Sequence, residues 1–181
     1  LRLESYEQKR KMLSDNNATE STTNTEVLPG LGMTYQINDN AQLFASAYKA
    51  FSPAENGTAL DGLTDQDLEA ERSNNIEVGV RGAFDKLNYE IAAFQMDFSN
   101  QVVDNNSNPN FSKENGGKTK HQGLEMSLGY DMGAGFAIAG NVTYIPVSEF
   151  VGDRLDVGIE DGNRISYSPE VLANLELTYK K

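Results

Sequence analysis

Residues 73–103, SNNIEVGVRGAFDKLNYEIAAFQMDFSNQVV, constrain the fold most, because they hold two long alternating strands joined by two residues. Ile76, Val78, Val80, Gly82 and Phe84 fall on one side of the first strand, and Glu77, Gly79, Arg81 and Ala83 on the other. That is the period of a strand with one apolar face. After Asp85-Lys86 the return strand sets Leu87, Tyr89, Ile91 and Ala93 against Asn88, Glu90 and Ala92. A two-residue turn there pairs Phe84 with Leu87, Gly82 with Tyr89 and Arg81 with Glu90. Each strand reaches about ten residues, which suits a tilted strand crossing a bilayer (roughly 9–11) better than a soluble sheet (about five or six). The apolar phase slips at Ala93-Phe94, and a bulge there would return Phe94, Met96 and Phe98 to the apolar face.

The same unit recurs along the chain. Strands are predicted at residues 1–10, 26–38, 41–51, 76–84, 87–103, 120–131, 136–147 and 165–179, about eight in all. The phase of 41–51 is ambiguous, and Phe44 is read as outward beside Tyr35. Connections near residues 39, 85 and 133 are tight, whereas residues 11–25, 52–72, 104–118 and 148–164 read as long polar loops, with a short helical turn at 63–71. Loops beyond about 12–15 residues are uncommon in soluble domains, while short turns at one end and long loops at the other mark outer-membrane barrels. The fold class expected is all-β, an antiparallel transmembrane β-barrel segment over residues 1–181.

Aromatic placement gives an independent signal. Tyr35, Phe84, Tyr89, Tyr130, Phe136 and Tyr179 share the outward phase and the tight-turn end, as a membrane-interface girdle does. Tyr144, and Phe98 if the bulge forms, would serve the other rim. Aromatics also flank hairpin turns in soluble sheets, but such sheets carry polar outward faces. Arginine at outward Val78 is therefore expected to cost more than at inward Gly79.

Composition narrows the function classes. A net charge of -12 leaves no concentrated basic surface for nucleic acid. The absence of cysteine excludes disulfides, thiolate metal sites and cysteine nucleophiles. No apolar run approaches the roughly 20 residues of a spanning helix. The chain opens at Leu1 with no signal-like segment, so a fragment is expected.

Several segments, taken in order, resemble the second half of a TonB-dependent outer-membrane receptor barrel. LFASAYKAFSPAENG (43–57) is similar to the family's strand entering a loop through an aromatic-x-Pro corner, and LEAERSNNIEVGVRG (68–82) resembles its Glu-x-Ser-x-Asn-x-Glu-x-Gly signature. FQMDFSNQVV, GLEMSLGYDM and ISYSPEVLANLELTY resemble three further strand motifs. The Phe51-Ser52-Pro53 corner is most similar to ferric-citrate and related siderophore receptors. The resemblance implies a receptor in the Gram-negative outer membrane that binds a ferric chelate and imports it with TonB energy. It implies contact with outer-membrane lipid, an own plug domain and the TonB complex as partners, and no cofactor, iron entering only as part of the transported chelate. The plug, TonB box and closing strands of the full pattern are missing, and about eight strands would be part of the 22 in such transporters.

Candidate residues follow from this. Arg72, Arg154 and Arg164 sit in or beside the predicted outer loops, where guanidinium forks would match a carboxylate-rich chelate, though they would equally serve as ordinary loop charges. Lys113, Lys118 and Lys120 form a second basic cluster. Glu77, Arg81, Glu90 and Glu125 are inward and would line the lumen, as a permeation path or as a polar network toward a plug. Asp153, Asp156, Glu160 and Asp161 crowd one loop without the spacing of a calcium site. Two other readings stand beside the receptor. One is a complete small barrel acting as anchor or adhesin; the other is a barrel enzyme built on His121 with Ser127 or Asp131.

Overall fold

A computed structural model describes residues 1–11, 19–53, 69–104, 113–153 and 158–181. Within them the chain forms β1 (Arg2–Lys11), β2 (Thr19–Leu28), β3 (Gly30–Asn38), β4 (Ala41–Ser52), β5 (Glu71–Phe84), β6 (Leu87–Asp104), β7 (Lys113–Gly133), β8 (Phe136–Phe150) and β9 (Val171–Tyr179). Strands β3 to β9 make an antiparallel meander in sequence order, and β1 pairs with β2 in a separate two-stranded sheet. Neither edge of the seven-stranded sheet pairs with the other. The described residues thus form an open arc, not the small closed barrel of the first alternative.

The organising hairpin has the register its turn demands. Phe84 faces Leu87, Gly82 faces Tyr89 and Arg81 faces Glu90, and Asp85 opens the turn with φ 52°, the left-handed conformation that matches strand twist.

Elsewhere the elements differ from expectation for identifiable reasons. Nine strands replace eight because Pro29, with no N–H to donate, divides 26–38. Its carbonyl still accepts from Lys49 N at 3.0 Å. The Thr-rich stretch read as loop 11–25 carries strand from Thr19 onward, paired with β1 from Arg2↔Leu28 to Lys11↔Thr19. Strands β6 and β7 pair out to Asp104↔Lys113, inside the expected loop 104–118. Strand β8 reaches Phe150, and β9 starts at Val171 instead of 165. Of the expected helical turn at 63–71, residues 63–68 lie outside the described residues, and Glu71 is strand.

No bulge forms at Ala93-Phe94, since Val78↔Ala93 and Glu77↔Phe94 run in unbroken register. Shifts occur instead between Phe98 and Gln101 of β6, and in β8, where Gln122↔Val147 is followed by Leu124↔Tyr144. The β8 bulge holds Ile145 and Pro146, and a proline inside a strand favours one. Phe94, Met96 and Phe98 therefore stay on the polar face. So does Phe44, which pairs with Gly79 and not with Tyr35. The cause is glycine: a Cβ at Gly79 would lie 2.5 Å from the Phe44 ring, and one at Gly123 2.6 Å from the Phe94 ring. Each ring covers a bare stretch of backbone directly across the ladder.

The register fixes two faces. One carries Leu31, Met33, Tyr35, Leu43, Ile76, Val78, Val80, Ile91, Leu124, Met126, Leu128, Ile138, Leu175 and Leu177. Its side chains stand free, Leu175 being 77% and Leu31 78% exposed. The other carries Gln36, Gln42, Glu77, Arg81, Asn88, Glu90, Glu125, Ser127, Asn141 and Glu176, with the covering phenylalanines among them. An apolar face this extensive on a soluble sheet would drive association.

Candidate functional site

Glu77, Arg81, Glu90 and Glu125 all lie on the polar face. Arg81 and Glu90 are register partners, yet the Arg81 guanidinium turns the other way. Its Nε and Nη2 donate to Gln42 Oε1 at 3.1 and 3.0 Å, and its Cζ sits 5.4 Å from the Phe44 ring centroid, an attractive position for a cation. A cradle of about 600 Å³ opens there, lined in part by Gln36, Gln42, Arg81, Asn88, Glu90 and Ser127. With Glu77 and Glu125 beyond it, the wall bears more acid than base.

The long-connection end is held by a polar clasp. Arg72 Nη2 donates to Glu26 Oε1 at 2.7 Å and Nη1 to Glu69 Oε2 at 3.2 Å. The Glu26 hydrogen bond raises the guanidinium pKa above its ordinary value, against a smaller opposing effect of burial. Glu69 also accepts from Asn100 Nδ2 at 2.9 Å, and Asn115 Nδ2 donates to the carbonyls of Glu69 and Asn100 at 2.9 and 2.8 Å. Strand alternation puts Arg72 on the same side as Ile76, beyond the apolar band. Its charge is already matched by two carboxylates.

Arg164 has a comparable commitment. Its Nη1 donates to Pro146 O at 3.1 Å, and its Nη2 to Ile145 O and Ser168 O at 3.1 and 3.3 Å. The β8 bulge takes those two strand carbonyls out of the ladder, and the guanidinium supplies their donors. Segment 163–170 thereby runs as a strap beside the upper half of β8, with Ile165 N on Ser148 O at 2.9 Å and Ile145 N on Glu170 O at 2.7 Å. On this strap Tyr167 adopts φ 59° and is fully exposed. Arg154 and Asp156 lie outside the described residues, as does the Lys113 side chain.

The remaining loop candidates are accounted for similarly. Lys120 stands across from Asp97 and Glu149, and Lys118 is exposed. Asp161 Oδ1 accepts from Gly152 N and Asp153 Oδ1 from Asp161 N. Glu160 is exposed, and its backbone N donates to Asn163 Oδ1 at 3.4 Å. Among the described residues no cluster of carboxylates or histidine forms that would hold a metal ion.

His121 meets neither Ser127 nor Asp131. Asp131 lies at the tight-turn end, accepting from Gly133 N at 2.8 Å. The histidine instead contacts Ser148 Oγ through Nδ1 at 3.1 Å and Thr119 Oγ1 through Nε2 at 3.3 Å. Ser168 Oγ donates to Ser148 Oγ at 2.8 Å, and Phe98 packs edge-on at 5.5 Å. That contact corrects Phe98's expected rim position. Ser148 is 1% exposed, so this serine and histidine present no nucleophile. Sequence spacing gave no hint of Ser148 or Ser168, because the β8 bulge sets their register.

Tyr35, Phe84, Tyr89, Tyr130, Phe136 and Tyr179 fall together on the apolar face at the tight-turn end. Phe136 packs on Tyr179 with centroids 4.6 Å apart, and the Tyr89 hydroxyl donates to Asn40 O at 3.2 Å. Tyr144 shares this face, opposite Leu124.

Comparison with known proteins accords with this geometry. The family described as TonB dependent receptor-like, beta-barrel matches residues 1–181. An uncharacterized TonB-dependent receptor of Haemophilus influenzae is 26% identical over 154 residues, 85% of this chain and 43% of that protein. The metal-pseudopaline receptor CntO of Pseudomonas aeruginosa is 25% identical over 166 residues, 91% of this chain and 22% of that protein. Among solved structures, the unliganded ferric citrate transporter FecA superposes with a TM-score of 0.74 at 23% identity, covering 99% of this chain and 27% of that one. The chain therefore spans less than half the length of these relatives. TonB-dependent receptor barrels are outer-membrane proteins of Gram-negative bacteria; of these relatives, FecA is described as a ferric citrate transporter and CntO as a metal-pseudopaline receptor. An open antiparallel arc with one apolar and one polar face, matched over its whole length, belongs to the TonB-dependent receptor β-barrel family.

Proposed function

We propose that this chain is part of the wall of a larger outer-membrane barrel that imports a ferric chelate with energy relayed by TonB. The observation that carries the reading is the two-faced arc, with tight turns at one end and long connections at the other. On this reading the apolar face meets lipid, and the six aromatics sit at the periplasmic interface. Glu77, Arg81, Glu90 and Glu125 line the lumen and face a plug supplied by the rest of the receptor. The long-connection end is extracellular and receives the chelate. There Arg72 and Arg164 act by holding the rim in shape, while Arg154 is the fork we assign to an anionic chelate and Tyr167 an aromatic contact. The chelate class draws support from relatives named for pseudopaline, ferric pyoverdine and ferric citrate.

The test is uptake of radiolabelled iron by cells grown under iron limitation. Deleting the gene is expected to abolish uptake from one chelate among ferric citrate, hydroxamate and catecholate complexes. Inactivating the energising complex should give the same loss, and the cloned gene should restore uptake in the deletion strain. Unchanged uptake from every chelate in the deletion strain would overturn the proposal.

A further inference from the structure

Gly140 leaves a notch in the apolar face. It pairs with Leu128 on one side and Leu175 on the other, and the space between the two leucines is a groove of about 330 Å³, lined also by Met126, Tyr130 and Leu87. Tyr89 covers Gly82 on this face, but no ring covers Gly140 in the same way. The atoms nearest to where its Cβ would lie are the Asn174 carbonyl oxygen at 3.0 Å and Leu175 Cδ1 at 3.3 Å. A strand paired to the free edge of β9 would extend the sheet in its own plane and leave the notch open toward the bilayer. Toward the tight turns the notch ends at the girdle, where Tyr130 pairs with Leu87 and Phe136 packs on Tyr179.

Below the girdle lie cations. Lys86 Nζ stands 3.5 Å from where a Cβ on Gly133 would lie, and the Lys180 backbone N donates to the Gly135 carbonyl at 2.9 Å. Both lysines therefore flank the turn at residues 133–135, from which β8 rises to the notch. Lys86, Lys180 and Lys181 are exposed, and among the described residues none of them forms an ion pair. Of the carboxylates nearby, Asp131 falls on the polar-face side of β7 and accepts from Gly133 N at 2.8 Å, which leaves exposed Asp85 against three lysines. Gly135 to Gly140 is five residues, about 17 Å along a strand, a path that one acyl chain can follow through one leaflet, whose half of the hydrocarbon core is about 15 Å. We propose that this face holds an anionic phospholipid of the leaflet at the tight-turn end, with one acyl chain in the Gly140 notch and its phosphate between Lys86 and Lys180. Lysine stems lie along apolar surface while their ammonium groups reach the headgroups, and cations at that level favour anionic lipid. A second copy meeting this face about a two-fold axis would crowd the same lysines together. That the leaflet is periplasmic rests on the receptor reading.

Native mass spectrometry of the full-length receptor tests the site without any chelate. The protein is incubated in neutral detergent with equal amounts of phosphatidylglycerol and phosphatidylcholine of one chain length, and the last lipid retained is read. Phosphatidylglycerol should be favoured by roughly fivefold or more, and Lys86→Gln combined with Lys180→Gln should bring the two lipids level. Leu128→Phe, whose ring would cover Gly140 as Tyr89 covers Gly82, should lower phosphatidylglycerol retention by a similar factor, and so should Gly140→Val. Resistance to SDS before heating verifies that each variant is folded. Inorganic phosphate in large excess should leave the bound lipid in place. Equal retention of the two lipids, a preference that survives the double lysine variant, displacement by phosphate, or a lipid-free dimer would each overturn the assignment. Absence of iron uptake would overturn the receptor reading and leave the lipid result standing.

Discussion

Arginine in place of Val78 is expected to lower folding stability in a bilayer by about 2–4 kcal/mol, the cost of a cation near the midplane on the lipid face of a barrel. Val78 stands between Ala45 and Ala93 on the apolar face and is 54% exposed. A side chain there has neither a polar partner nor water within reach, so the charge must thin the bilayer or drag water inward. The control belongs on the polar face. Gly79 cannot serve, despite the expectation from alternation alone, because the Phe44 ring and the Ile91 carbonyl occupy the space its side chain would need. Ser127→Arg, exposed on the polar face beside the cradle, is expected to cost less than about 1 kcal/mol, as lumenal changes alter selectivity more than folding. Urea titration of refolding into vesicles compares the two. Equal losses would remove the distinction between the faces.

Gly79→Val should be destabilising by about 1–3 kcal/mol or more for a different reason, which is overpacking. Its Cβ would lie 2.5 Å from both the Ile91 carbonyl oxygen and the Phe44 ring. The ring can move, but the carbonyl belongs to the ladder. Adding Phe44→Ala should therefore recover only part of the loss, and Phe44→Ala alone should cost stability by baring Gly79 and releasing Arg81 from its aromatic platform. Vesicle refolding of the two single variants and the double variant forms a cycle whose non-additivity measures the contact. Full recovery in the double variant would mean that the ring is the whole obstacle.

These pairs also show where sequence reasoning stops. The 73–103 hairpin was legible in register, because a two-residue turn leaves one pairing and period-2 patterning sets both faces. That Tyr35, Phe84, Tyr89, Tyr130, Phe136 and Tyr179 share one face at the tight-turn end was legible for the same reason. The phase of Phe44 and of the run Phe94, Met96, Phe98 was not, because apolar residues were read as lipid-facing. The signal lay in the glycines: Gly79 and Gly123 share the inward phase, and a bare glycine calls for an aromatic across the ladder, as Gly82 and Tyr89 show on the other face. Pro29 and Pro146 were the other overlooked marks, one dividing a strand and one making a bulge. The rim was least legible. Arg72 and Arg164 were rightly placed near long connections, but their partners Glu26, Glu69 and the bulge carbonyls come from distant segments.

Single cysteines at residues 76–84 of β5, introduced into a stretch that has none, test the central claim most directly. Spin labels on them, read in a bilayer with oxygen as the lipid-soluble and a nickel chelate as the aqueous relaxant, report which side each residue faces. The two-faced wall predicts strict alternation. Positions 76, 78 and 80 should favour oxygen, and 77 and 81 the nickel chelate, unless a plug shields them from both. Nickel access at the even positions, or no alternation along the strand, would contradict it.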